Sequence, residues 1–343
     1  MNPSPVFHRV SGVASRLRAV CVLSLFVAGT AVAQTSIMNV SYDVSRELYK
    51  DINPAFAAQQ KAQGAGEVTV KQSHGGSSKQ AMSVVAGLEA DVVTMNQPPD
   101  IDLLVERGNL VAADWRKRYP HDATPYTTTV VFLVKKGNPK GIKDWQDLVR
   151  PDIKVLIPNP KTSGNGRYTY LAAWVYALDK TGNEAGAKDF VTRLFANVPV
   201  FDGGGRGATT SFTQRGVGDA LVTFENEAIL IAKELGGAQF EVVYPSMSID
   251  ASAPVAEVQS VTRKRGTEKV AQAYLNFLFS PEAQEIIARH NFRPRDPAVL
   301  QKYAANFPPI RTFTVEDRLG GWDAVRKTHF ADGALFDQIA VKR

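Results

Sequence analysis

The sequence predicts an α/β protein of two lobes, and three features lead there. Short apolar runs alternate with longer stretches of helical period; no long Pro/Gly/Ser linker divides the 343 residues; and glycine- or serine-rich junctions recur where a strand-like run gives way to a helix-like one. The alternation favours mainly parallel sheets. A chain of this length can bury two cores, and without a linker the two lobes must share strands across a hinge.

The first 33 residues stand apart from this pattern. They carry Arg9, Arg16 and Arg18 and no carboxylate, then about fourteen mostly apolar residues, and they end on Ala31, Val32 and Ala33. That is the pattern of an export signal, too short to span a bilayer. Cys21 lies inside it, and the residues before Cys21 form no lipoprotein cleavage box. The exported chain would then hold no cysteine, and core burial alone must stabilise it. Losing three arginines from the 40 basic residues leaves 37 against 34 acidic ones, so the net charge falls from +6 to +3. Such a balance supports no nucleic-acid footprint.

Along the rest, a strand over 37–42 leads to a helix from about Ser45, with Leu48, Ile52 and Phe56 on its apolar stripe. Strands over 68–71 and 90–95 flank a helix that follows Ser77. Further strands are expected at 130–134, 154–157, 198–201 and 220–224, with a long helix over 166–178. From Pro254 onward the pattern gives a strand, a helix around 270–279 and more helix to the C-terminus.

Four strand-to-helix junctions carry small or polar residues: Ser-Tyr-Asp at 41–43, His-Gly-Gly-Ser at 74–77, Lys-Thr-Ser-Gly-Asn at 161–165 and Asp-Gly-Gly-Gly-Arg-Gly at 202–207. The first N–H groups of a helix lack partners and sit at the positive end of its dipole, so they attract anions, and glycine lets an anion approach the backbone. Taken singly, Asp43, Ser77 and Ser163 read as helix caps and the glycines as turn residues. In an open α/β sheet, however, such junctions gather at the carboxyl ends of strands, where ligands bind.

A dinucleotide site competes for the fourth junction: Gly203, Gly205 and Ala208 fit G-x-G-x-x-A, and Glu225 lies about twenty residues on. Export and the mid-chain position argue against an oxidoreductase. G-x-S-x-G, Walker and H-E-x-x-H patterns are absent, and His74, His121, His290 and His329 have no metal-ligand spacing. His74 reads as a hydrogen-bonded turn residue, and Trp115, Trp145, Trp174 and Trp322 as core or hinge packing. The residues thus suggest no catalytic group, cofactor or metal.

Several stretches carry a resemblance. Ser-His-Gly-Gly-Ser at 73–77, Glu-Ala-Asp-Val-Val-Thr at 89–94, Phe-Leu-Val-Lys-Lys-Gly-Asn-Pro at 132–139, Pro-Asn-Pro-Lys-Thr-Ser-Gly at 158–164, Leu-Ala-Ala-Trp at 171–174, Gly-Arg-Gly-Ala-Thr at 205–209 and Gly-Gly-Trp at 320–322 resemble the periplasmic sulfate- and thiosulfate-binding proteins of ABC importers. The resemblance covers essentially the whole exported chain. It implies a type II periplasmic binding protein, two α/β lobes joined by a hinge with the ligand in the cleft. The expected lobes are 34–122 with 246–343, and 123–245. It also implies a monomer that passes its anion to an inner-membrane ABC permease. Backbone donors at Asp43, Ser77, Gly164, Asn165 and Gly205 and the Ser163 hydroxyl are implied at the ligand, with Arg206 paired to a carboxylate behind them. The sulfate-binding members place an indole N–H where this chain has Phe224, which has none to give. Phe224 is therefore expected to wall the site and favour thiosulfate, while other stretches look closer to the sulfate branch, so both anions are expected to bind. Molybdate and phosphate remain alternatives, phosphate disfavoured because its proton needs an acceptor unless the Asp43 carboxylate turns inward.

Overall fold

The computed structural model describes Met1 and residues 35–234 and 238–340. The expected export signal and Cys21 lie outside the described residues. Eleven strands are described: β1 (Thr35–Tyr42), β2 (Val68–Gly75), β3 (Val92–Thr94), β4 (Tyr126–Lys135), β5 (Val155–Leu156), β6 (Ala220–Phe224), β7 (Phe240–Val243), β8 (Ser248–Ser252), β9 (Val255–Glu257), β10 (Arg293–Pro294) and β11 (Thr312–Phe313). The principal helices are α1 (Arg46–Ala62), α2 (Ser77–Val85), α3 (Pro98–Glu106), α4 (Pro120–Ala123), α5 (Gly164–Thr181), α6 (Glu184–Ala196), α7 (Gly205–Thr213), α8 (Glu225–Glu234), α9 (Gln259–Arg265), α10 (Glu268–Phe277), α11 (Pro281–Arg289), α12 (Pro297–Lys302), α13 (Val315–Leu319), α14 (Trp322–Val325) and α15 (Leu335–Ala340). No helix among the described residues is long and apolar enough to cross a membrane.

The strands form two sheets. In the first, ordered β2-β1-β3-β9, β1 runs parallel to β2 and β3, and β9 closes the edge antiparallel to β3. β1, β2 and β3 therefore deliver their carboxyl ends, with Asp43, Gly76 and Asn96 just beyond, to one edge of the sheet. The second sheet is built on β4, whose residues 126–134 are all buried. The start of β4 pairs with β8 and β10, and its second half with β6 and β7, all antiparallel. Parallel pairing there is confined to β5 on β6 and β11 on β8. The expectation of mainly parallel sheets thus fits the first sheet and fails in the second. Pairing direction depends on which distant strands β4 meets, and its apolar run does not record that. The strand expected at 198–201 is absent: residues 197–204 form an irregular loop that leads into α7.

The chain passes between the sheets three times, the third passage running from β9 to β10 through α9, α10 and α11. The first passage runs through α4, a single turn whose His121, Asp122 and Ala123 take left-handed φ values of 54°, 54° and 57°. Such a conformation costs about 1–2 kcal/mol per residue for non-glycine residues, so packing around the turn must impose it. The second passage is Ala253–Pro254, since β8 pairs with β4 and β9 with β3. It comes eight residues after the boundary expected at 245. The C-terminal segment lies against the second sheet's helices: Arg311, just before β11, and Arg318 of α13 both pair with Asp179 of α5, and Phe336 of α15 stands edge-on to Phe195 of α6 with ring centres 5.5 Å apart.

α5 sits at the centre of this packing. Thirteen of its eighteen residues are buried, almost without interruption from Gly164 to Ala177, so it has no solvated face until its last turn. It ends where Gly182 takes φ 72°, a left-handed cap conformation that glycine adopts without strain. Trp115, Trp145, Trp174 and Trp322 are all buried, as core packing requires.

Candidate anion-binding site

The four junctions converge. At the second, Gly76 precedes α2, and a β-carbon there would lie 2.5 Å from the carbonyl oxygen of Gly203 and 2.6 Å from that of Thr162. Gly203 belongs to the fourth junction and Thr162 to the third, so only a glycine lets these three backbones meet. The third and fourth junctions are tied by Asn159 N–H, which donates to the Asp202 carbonyl at 2.8 Å, and by the Thr162 hydroxyl, which donates to the Gly203 carbonyl at 3.1 Å. The first junction joins through Asp43. Its Oδ2 accepts the Arg206 N–H in the first turn of α7 at 3.0 Å, and its Oδ1 accepts its neighbour Val44 N–H at 3.0 Å.

Each helix mouth is built differently. Ser77, the first residue of α2, is buried, and its Oγ accepts the Asn96 N–H at 3.2 Å. Ser163 caps α5: its Oγ accepts the Gly166 N–H at 3.4 Å, which leaves the hydroxyl proton free to donate. Asn165, in the first turn of α5, donates from Nδ2 to the Thr223 hydroxyl at 3.1 Å. α7 starts after Gly204, which has no side chain to cap it, and the Asp43 carboxylate does so instead. Gly205 packs tightly, since a β-carbon there would lie 2.9 Å from Val44 Cγ1 and 3.3 Å from Asn165 Nδ2.

The cations around these mouths are held elsewhere. Arg206 pairs at 3.2 Å with Glu227, which is fully buried and also accepts the Thr209 hydroxyl at 2.8 Å. This is the carboxylate pairing expected for Arg206. Lys161 pairs with Asp337 at 3.0 Å. Arg167 donates from Nε to the Pro160 carbonyl at 3.2 Å and lies over the Phe330 ring at 5.0 Å. The positive potential at the mouths is therefore supplied chiefly by main-chain N–H groups and helix dipoles. Burial raises the Asp43 carboxyl above the ordinary carboxylate range, against the opposing pull of its Arg206 N–H bond. Burial also lowers the His74 imidazole, whose Nδ1 lies 3.1 Å from the Tyr42 carbonyl. His74 belongs to β2 and not to a turn.

Of the expected site residues, Asp43, Ser77, Ser163, Gly164, Asn165 and Gly205 all lie at the converging mouths. Phe224 sits one layer back, fully buried, with its ring edge-on to Tyr168 of α5 at 6.1 Å. Its neighbour Thr223 is the one that reaches α5's first turn. The dinucleotide fingerprint has no strand before Gly203, and Glu225 is held by Arg293 in a two-pronged pair at 2.7 and 2.8 Å. Sequence reading missed Asn96, Thr223 and Glu227. The signal that could have found Asn96 is its place just beyond a strand of the first sheet, the same place that singles out Asp43 and Gly76.

Residues 39–293 match the family of bacterial extracellular solute-binding proteins. The chain is 54% identical over 315 residues to a thiosulfate-binding protein of Pseudomonas aeruginosa, covering 92% of this chain and 95% of that one. It is 51% identical over 321 residues to a sulfate-binding protein of Escherichia coli, covering 93% and 97%. Among solved structures it resembles the sulfate-binding protein SubI from Mycobacterium tuberculosis, with TM-score 0.79 and 37% identity over 86% of this chain and 99% of that one.

Proposed function

The chain belongs to the sulfate- and thiosulfate-binding proteins within the bacterial extracellular solute-binding family, and on that premise we propose that it captures sulfate and thiosulfate and delivers them to an ABC permease. The observation that carries this reading is the meeting of four helix mouths at Gly76, Thr162, Gly203 and Asp43. The anion is held by the amides of Asp43, Ser77, Gly164, Asn165 and Gly205 and by the Ser163 hydroxyl. Each such charge-assisted bond contributes roughly 1.5–3 kcal/mol, and together they replace the water a dianion loses on entry. Because the donors are dipoles and not counter-charges, parting of the lobes weakens every bond at once and frees the anion. We place the hinge at the three passages between the sheets, and count the C-terminal helices with α5 and α6. The protein acts in the periplasm, as a monomer and without catalysis.

Phosphate at neutral pH keeps a proton that N–H donors cannot accept, which disfavours it against sulfate. The Asp43 carboxylate is directed at the N–H groups of Val44 and Arg206, so we count it as a cap of α7 and not as an acceptor for phosphate. Phe224 shapes the wall behind α5's mouth and offers no donor, so thiosulfate, with its softer terminal sulfur, competes well with sulfate. Calorimetric titration of protein refolded free of anion tests this. Tight binding of sulfate and thiosulfate with phosphate silent is expected; phosphate binding as well as sulfate does would overturn it.

A further inference from the structure

We propose that Asn96 is a specificity-determining residue of this site, whose carboxamide fits the cavity to sulfate over larger sulfur oxyanions. The inference rests on the reading of the four mouths as a sulfur-oxyanion site. Asn96 follows β3 as Asp43 follows β1 and Gly76 follows β2, so it leaves the first sheet at the same edge. Its N–H is fixed on Ser77 Oγ at 3.2 Å. Its side chain crosses to the second sheet's helix α5: a β-carbon on residue 164 would overlap Asn96 Oδ1 and lie 2.7 Å from Cγ and 3.0 Å from Nδ2. The carboxamide thus stands between Ser77 and Gly164, two of the proposed donors.

Asn96 is only 4% exposed, and its Oδ1 is enclosed with no hydrogen-bond donor. Leaving a buried acceptor unmatched is costly, and packing alone would be better served by an apolar side chain of the same shape. The oxygen is turned toward Gly164 and the nitrogen away from it, and no bond to Oδ1 holds that orientation. A half-turn about Cβ–Cγ exchanges the two atoms without moving the backbone. With an anion on the Ser77 and Gly164 amides, the NH2 group becomes a further neutral donor, and the side chain fills the space beside the anion. Sulfate, with four short and equivalent S–O bonds, fits against it. Thiosulfate must place a larger, weakly accepting sulfur in the same cavity.

The test is calorimetry of the full protein and two variants with sulfate and thiosulfate at pH 8 and pH 5. In Asn96→Ala, sulfate affinity is expected to fall about tenfold, the loss of one charge-assisted bond, and thiosulfate affinity by only about threefold, because its sulfur occupies the vacated space. Asn96→Asp keeps the shape and remains informative should the alanine variant fold poorly. It is expected to weaken both anions more than tenfold at pH 8, by repulsion. Binding should recover at pH 5, because burial beside a dianion raises the introduced carboxyl well above its ordinary range, so that it takes a proton and can donate. Asp43, Asp100, Arg167 and Arg206 flank the mouths in every variant, so the wild type's own pH response is the baseline. A sulfate-to-thiosulfate ratio unchanged within about twofold in Asn96→Ala, or no recovery beyond baseline in Asn96→Asp, overturns the proposal. Wild type that binds neither anion removes the reading beneath it as well.

Discussion

The mouths of α5 and α7 present the same unpaired backbone N–H groups, yet they are satisfied in opposite ways. α5 is capped from its own stretch of sequence by a neutral group, the Ser163 hydroxyl on Gly166 N–H. α7 has only glycine at its cap and borrows a charged group from the first sheet, the Asp43 carboxylate on Arg206 N–H. An anion arriving at α5 displaces nothing charged. At α7 it must share the first turn with a resident carboxylate. The difference teaches that a helix dipole is only as available as its cap leaves it, and that α5 should contribute more of the affinity.

Gly76 holds both mouths together, so its substitution should do the most damage. In Gly76→Ala the new methyl meets the Gly203 and Thr162 carbonyls at 2.5 and 2.6 Å. Closure should lose about 3 kcal/mol, roughly 150-fold in anion affinity, with the melting of anion-free protein little changed. Unaltered affinity by calorimetry would mean the backbones need not approach so closely.

A second effect separates α5 from α7 by acid. His329 lies behind α5, its Nδ1 3.0 Å from the Tyr170 hydroxyl, and burial lowers its imidazole pKa to about 4. The unfolded chain takes up this proton near pH 6.5 and the folded one resists it. Stability is thus complete above about 6.5 and is lost as pH falls toward 4, by about 2.5 kcal/mol at pH 4.5. Urea melts at pH 7.5 and 4.5 should show the loss in wild type and a smaller one, by about 2.5 kcal/mol, in His329→Phe.

Ser163→Ala removes both α5's cap and a donor. We expect about 1 kcal/mol less stability and about tenfold weaker anion binding. Equal damage from any neutral substitution at Asp43 would erase the contrast between the mouths. The smallest effect belongs to Asp43→Asn, which keeps shape and removes charge: affinity at pH 8 should rise a fewfold. Because the folded Asp43 pKa is raised, its ionised form is disfavoured above that value and relieved as pH falls through it. Wild-type affinity should accordingly climb on acidification, and the variant's should stay flat.

Much of this was legible in sequence. The strand at 220–224 matches β6 to the residue, and the long helix expected at 166–178 is α5, extended by its glycine-bearing first turn and its last turn. Local patterns set these elements, because alternation and helical period are properties of neighbours. The run at 198–201 looked like a strand, yet it joins neither sheet and remains a loop. The four mouths were readable because caps and glycines are local too. What escaped was long-range: the Asp43 carboxylate on α7, Asn96 against Gly164, and Thr223 under Asn165 all join residues more than fifty positions apart. No spacing in the chain encodes them.

The central claim is that neutral main-chain donors hold the anion, and amide chemical shifts report it most directly. On titrating sulfate into anion-free, isotope-labelled protein, the account predicts the largest proton shifts at the amides of Asp43, Ser77, Gly164, Asn165 and Gly205. Arginine and lysine side-chain signals should barely move. Dominant shifts at Arg167, Arg206 or Lys161 side chains, with those amides silent, would contradict it.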